Sequence, residues 1–144
     1  MKILVVDDEP HTGASVTLTL GKAHQVEMVS AGRDAFELLN DNTRGFELLI
    51  SDHMMPEWSG SELIHRLQLA GWQGKYLVLS AYMSPEIEAI YRKLGVEHIL
   101  TKPFDVVELR NVVAEIERTS RKNSPAAMPG FRKPWCGPNE RSNL

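Results

Sequence analysis

The chain of 144 residues, 42% hydrophobic with a formal net charge of −3, is long enough for one domain with a substantial core and too short for two comfortable ones. A lone cysteine, Cys136, excludes an intramolecular disulfide, and no stretch is long and apolar enough to read as a bilayer span or a signal peptide. A cytoplasmic protein with no membrane association is therefore expected, and because residues 1–119 carry 11 Lys and Arg against 18 Asp and Glu, direct DNA binding is not.

The first apolar run is "KILVV" (2–6), and it is followed by a segment of helical length, 11–22, in which Gly13 and β-branched Thr12, Val16, Thr17 and Thr19 lower the helix propensity while Val16 and Leu20 still form an i, i+4 pair. "VEMVS" (26–30) precedes a helix over 32–40 with Ala35, Leu38 and Leu39 on one face. "FELLIS" (46–51) precedes a helix over 60–70 with Leu63, Ile64 and Leu67. "KYLVLS" (75–80) leads to a helix over 85–94 whose apolar face is Ile87, Ile90, Tyr91 and Leu94. "HILT" (98–101) leads to one over 105–119 carrying Val106, Leu109, Val113 and Ile116. After residue 119 the periodicity stops. Residues 120–144 hold four prolines and two glycines and carry 5 Lys and Arg against 1 acid, the composition of a flexible basic tail in which Cys136 is an incidental thiol.

Five apolar runs alternating with helical segments predict an α/β fold: a mostly parallel sheet with helices on both faces. In such a sheet the residues that follow the strands gather along one edge. Here they are Asp7, Asp8 and Glu9 after the first strand, Asp52 after the third, Ser80 after the fourth, and Thr101 and Lys102 after the fifth. Carboxylates forced together favour a proton or a bound cation, and oxygen-only ligands suit Mg²⁺. With a lysine to offset charge and a hydroxyl to donate, the set matches a site for a phosphoryl group with Mg²⁺, an aspartate serving as nucleophile.

Each residue also has a plainer reading. Asp7 and Asp8 suit the positive end of a helix, Lys102 a solvated strand end and Pro103 a helix opener. Met54 and Met55 read as partial core, and Trp58 and Trp135 as packing or partner contacts. The five histidines, His53 among them, share no metal-ligand spacing, and no Gly-rich phosphate loop follows any strand.

The motifs "VVDDEP" (5–10), "DHMMPEWSG" (52–60), "LSA" (79–81) and "TKPF" (101–104), in this order at strand ends, resemble the receiver domains of two-component response regulators over residues 1–119. The resemblance implies a doubly wound five-stranded sheet of flavodoxin-like order 2-1-3-4-5. It implies that Asp52 accepts a phosphoryl group from a histidine kinase or a phosphotransfer protein, and that Asp8, Asp52 and the backbone carbonyl of Met54 hold Mg²⁺ with Asp7 acting through water. Ser80 and Lys102 would bind phosphoryl oxygens, the Lys102–Pro103 bond would be cis, and the output would be a shift of the face built from the fourth helix, fifth strand and fifth helix. It further implies a downstream protein target and leaves a homodimer on phosphorylation open. Ile99 departs from the family pattern, which has an aromatic switch residue at that position. Tyr82 is weighed as a partial substitute, and Met54 and Tyr82 together as residues that tune the lifetime of the phosphorylated state. Two alternatives stand beside this reading: an aspartate-nucleophile phosphatase in which Asp7 attacks, against which Glu9 stands where such enzymes carry a second aspartate, and a receiver-like adaptor that is never phosphorylated.

Overall fold

Strand and helix alternate throughout the computed structural model, which describes residues 1–122, with side chains through Thr119. The strands are β1 (Lys2–Val6), β2 (Gln25–Val29), β3 (Leu48–Asp52), β4 (Lys75–Ser80) and β5 (Ile99–Thr101). The helices are α1 (Pro10–Leu20), α2 (Gly32–Asn40), α3 (Gly60–Leu69), α4 (Pro85–Lys93) and α5 (Val106–Lys122). All strand pairs are parallel and the order is β2-β1-β3-β4-β5, the doubly wound arrangement expected. The chain separates into two units, Met1–Val113 and Ala114–Leu144. The described part of the second is the continuation of α5, where Thr119 Oγ1 donates to the Glu115 carbonyl. The last helix continues to Lys122, three residues past the expected end at 119, because Ser120, Arg121 and Lys122 include no proline or glycine to stop it, and the rest of the tail reading, with Cys136 and Trp135, lies outside the described residues.

Local sequence explains the helix starts. Ser59 accepts from the Glu62 amide and Ser84 from the Ile87 amide, each satisfying a donor that the first turn leaves without a partner. Asp105 and Glu108 form a reciprocal capping box, each side chain accepting from the other's amide at 2.7 and 3.0 Å. At the end of α4, Gly95 adopts φ 82°, where a Cβ is disfavoured, and the reversed chain lets the Val96 amide reach the Tyr91 carbonyl.

Packing then separates the strands. β1, β3 and most of β4 are buried on both faces, whereas β2 is an edge strand with Gln25, Glu27 and Met28 exposed. Ala35 and Leu39 of α2, Leu63, Ile64 and Leu67 of α3 and Tyr91 of α4 join Leu4, Val6, Leu49 and Val78 in one core. Each fully buried leucine contributes roughly 1.5–3 kcal/mol through area removed from water. Two expectations from helical periodicity and one from apolar character fail. Ile90 is 47% and Val106 45% exposed, and Met54, read as partial core with Met55, is 70% exposed while Met55 packs on the core. Ile90 and Val106 share a helix face with buried residues, but both lie on the rim, where nothing within the first unit covers them.

Gly60 marks the tightest backbone approach near the carboxyl edge. A Cβ there would stand 2.6 Å from the Asp52 carbonyl oxygen and 2.8 Å from the Tyr91 hydroxyl, and the first of these is backbone that cannot swing aside. Gly60→Ala is expected to lower stability by about 1–3 kcal/mol, the usual cost of overpacking. Urea denaturation of the two proteins measures it directly.

Candidate functional site

Three strand ends converge on one acidic cluster. Asp7, one residue past β1, and Asp52, the last residue of β3, are 2% and 7% exposed, while Asp8 faces solvent. One carboxylate oxygen from each of the three lies within 4.8 Å of the others. Lys102, at the end of β5, sends its ammonium between the two buried acids, 3.4 Å from Asp52 Oδ1 and 3.5 Å from Asp7 Oδ2. The Lys102–Pro103 peptide is cis, and the Lys102 amide donates to the Ser80 carbonyl at 2.7 Å, which ties the β5 end to the β4 end.

The electrostatics are unbalanced: three carboxylates face one ammonium. Asp7 Oδ1 accepts from the Glu9 amide at 2.8 Å, but Oδ2 is buried with no hydrogen-bond donor, Lys102 standing at ion-pair distance only. Burial raises the Asp7 pKa above its ordinary value, and the Asp52 charge adds to this, against the Glu9 amide and Lys102, which pull it down. An orphaned buried carboxylate oxygen, in a cluster of three carboxylates with no histidine or cysteine, fits a hard divalent cation such as Mg²⁺.

Ser80 stands at the end of β4, opposite Thr101 in the register, with its hydroxyl engaged locally: it donates to the Tyr82 carbonyl and accepts from the Tyr82 amide at 3.2 Å. The Tyr82 ring is 71% exposed. Ile99 is half-buried against the core that contains Tyr91. Thus Asp7, Asp8, Asp52 and Lys102 are brought together, whereas Ser80, Tyr82, Ile99 and the Met54 side chain surround that centre without touching its ions.

The loop from Asp52 to α3 is shaped by its own residues. Glu57 takes φ 68°, and Trp58 lies edge-on to Phe36 with the guanidinium of Arg66 4.2 Å and that of Arg33 5.1 Å from its ring. Trp58 is therefore a packing residue that pins this loop to α2 and α3. His11, His24, His65 and His98 take no part in the acidic cluster.

Sequence reasoning missed one pair. His53, next to Asp52 and 9% exposed, points its Nδ1 at the hydroxyl of fully buried Tyr91 at 2.5 Å, with the rings edge-to-face at 5.4 Å. Burial lowers the His53 pKa and raises that of Tyr91, so both are neutral at pH 7, and the imidazole tautomer sets which of the two donates. The one available signal was a polar residue directly after the strand-ending aspartate. Its partner, 38 residues away, reads as an ordinary member of an apolar helix face.

The family model for the response regulator receiver domain matches residues 3–114. Response regulator RppA of Synechocystis is 31% identical over 126 residues, covering 87% of this chain and 54% of its own length. Response regulator protein PilR of Pseudomonas aeruginosa is 34% identical over 115 residues, 78% of this chain and 25% of its own. The chain thus spans about half the length, or less, of these curated relatives. Among solved structures, the Vibrio cholerae chemotaxis protein CheY4 superposes with a TM-score of 0.71 at 29% identity, covering 80% of this chain and 97% of that one. The putative LuxO receiver domain of Vibrio parahaemolyticus superposes with a TM-score of 0.77 at 20% identity, covering 83% and 92%, a likeness of fold. Among the described residues no helix is long and apolar enough to cross a membrane.

Proposed function

The chain belongs to the response regulator receiver family of two-component signalling, and from that premise we propose that it is a cytoplasmic phosphoacceptor in which Asp52 takes a phosphoryl group from a histidine kinase or a phosphotransfer protein. The observation that carries this reading is Lys102 bridging Asp52 and Asp7 beside Asp8 at one sheet edge. Residues 1–119 are read as the receiver, with α5 running on to Lys122 beyond that boundary.

The chemistry rests on placement and charge. An Asp52 carboxylate oxygen attacks phosphorus in line; the new P–O bond forms as the P–N bond of the donor phosphohistidine breaks, and the electron pair stays on the imidazole nitrogen. Lys102, already 3.4 Å from Asp52, follows the transferred group's equatorial oxygens and offsets their charge. The Ser80 hydroxyl leaves its Tyr82 carbonyl to donate to another oxygen. Asp7, Asp8 and Asp52, with the Met54 carbonyl, would hold Mg²⁺, which supplies Lewis-acid neutralisation of phosphoryl charge when bound. The exposed Met54 and Tyr82 side chains govern water access and with it the lifetime of the aspartyl phosphate.

Added charge at Asp52 shifts the population of two arrangements of the face formed by α4, β5 and α5. Ile90, Val106 and Val107 are exposed there, a surface for a downstream target or for a second copy of the chain. The phosphatase alternative is disfavoured, because the residue two after Asp7 is Glu9, whose amide is spent on Asp7 itself and whose side chain caps α1. Incubation with a small-molecule phosphodonor and Mg²⁺ is expected to give an acid-stable, base-labile mass increase that excess EDTA abolishes. No uptake under any Mg²⁺ concentration would leave the adaptor reading instead.

A further inference from the structure

We infer that the buried hydrogen bond between Tyr91 and His53 links the phosphoacceptor end of β3 to α4, in a chain whose fifth strand carries Ile99. This rests on the reading of Asp52 as phosphoacceptor and adds the route by which its state reaches the output face.

Few residues of α4 are buried. Tyr91 is its only fully buried residue; Ile87 is half-buried and Ile90 exposed. One tether is the loop between Ser80 and the Ser84 cap, closed at its start by the Ser80–Tyr82 turn. Ile87 and Leu94 add apolar packing and Gln68 Nε2 donates to the Leu94 carbonyl, while the polar tether to the site is Tyr91, whose hydroxyl, with Ser61 as a further partner, enters the space left by the missing Cβ of Gly60, a space that the Asp52 carbonyl oxygen also borders, and meets His53 Nδ1.

His53 has no slack with which to absorb a movement of Asp52. Its amide donates to the Leu79 carbonyl and its carbonyl accepts from Gly60, both at 2.9 Å, so its backbone is fixed on β4 and α3 and its ring on α4. A shift of the Asp52 peptide is passed through one residue to the imidazole and from there to the phenol. Ile99 packs on the same core but has no polar atom with which to report on the site. Among the described residues, Tyr91 is the α4 residue whose hydroxyl reaches the residue beside Asp52. Tyr91 and His53 are positioning residues, since neither touches the carboxylates that would react.

The test uses the full chain, with and without a small-molecule phosphodonor and Mg²⁺, and reads amide hydrogen exchange across residues 85–94. Tyr91→Phe keeps the ring and removes the hydroxyl. Its phosphoryl uptake is expected to stay within about twofold of the parent. The phosphorylation-dependent change in α4 exchange is expected to fall about three- to tenfold, the factor that one hydrogen bond supplies. His53→Phe should have the same effect, and the double variant should lose no more than either single one. A parental α4 response in Tyr91→Phe, or additive losses in the double variant, overturns the link while leaving Asp52 as phosphoacceptor. Absence of label on the parent removes both. If Tyr91→Phe does not fold, the ¹⁵N resonance of His53 Nδ1 in the parent decides: it should move on phosphorylation, and an unmoved signal overturns the inference.

Discussion

Asp52→Asn should take up no phosphoryl group from a donor that labels the parent protein, an all-or-none loss and the largest effect expected of any single substitution here. The amide is nearly isosteric, so the β3 pairing, with Asp52 opposite Leu79, and the tight approach of Gly60 to its carbonyl are retained. What is lost is the anionic oxygen that attacks phosphorus and one of the three carboxylates within 4.8 Å. Lys102 keeps Asp7 as its partner, so the variant should fold, and circular dichroism with a melting curve checks that it has. Intact-mass spectrometry after incubation with donor and Mg²⁺ reads the outcome. A base-labile label persisting on Asp52→Asn would move the phosphoacceptor to another residue, and Asp7 would be the first to test.

Asp7→Asn is expected to do two opposite things: make the metal-free protein more stable and weaken its hold on Mg²⁺. The buried Asp7 carboxylate lies beside Asp52 and Asp8 with one oxygen lacking a donor, and its pKa in the fold is raised above the unfolded 3.8, chiefly by burial. A raised folded pKa means that the fold binds this proton more tightly than the unfolded chain does. Its stabilising share is therefore fully present below pH 3.8 and is lost as pH rises through the folded value. At neutral pH the ionised group is a net cost, offset in part by Lys102 at 3.5 Å. Removing the charge should recover on the order of 1 kcal/mol, a rise of about 4 °C in Tm. The melting temperature in EDTA should also lose a falling component on the acid side above pH 3.8. In Mg²⁺ the ranking should invert, because the parent gains linkage stabilisation that the variant, short of one carboxylate, does not. Thermal melts of both proteins across pH, in EDTA and in Mg²⁺, test both halves. A variant less stable than the parent in EDTA would show that Asp7 is a structural acid satisfied by Lys102.

The opposed signs in these expectations describe a site held under repulsion, with Lys102 as its one internal counter-ion among the described residues. Such a cluster is weak support for the fold on its own, since paired buried charges rarely stabilise. The residues around it are consistent with a construction for function: Gly60 gives up a side chain to admit the Tyr91 hydroxyl, and Ser80 spends its hydroxyl on a turn that a stronger acceptor can break.

By itself the sequence determined the alternation of five apolar runs with five helical segments, and with it a parallel sheet whose strand ends share one edge. Asp7, Asp8, Asp52 and Lys102 could be assigned to that edge because each directly follows or ends a run, and chain order alone places such residues together. Tertiary structure decided what proximity in sequence cannot. Asp7 and Asp8 are neighbours, yet one is buried and the other exposed, because successive residues at a strand end face different ways. For the same reason Asp52 points to the lysine and His53 to Tyr91. The pairing of residues 53 and 91 depends on β4 lying between β3 and β5 and on α4 crossing over that side, a relation that no local periodicity encodes. Periodicity likewise marked Ile90 and Val106 as apolar but could not say that they lie at the rim, since exposure depends on what the neighbouring elements leave uncovered.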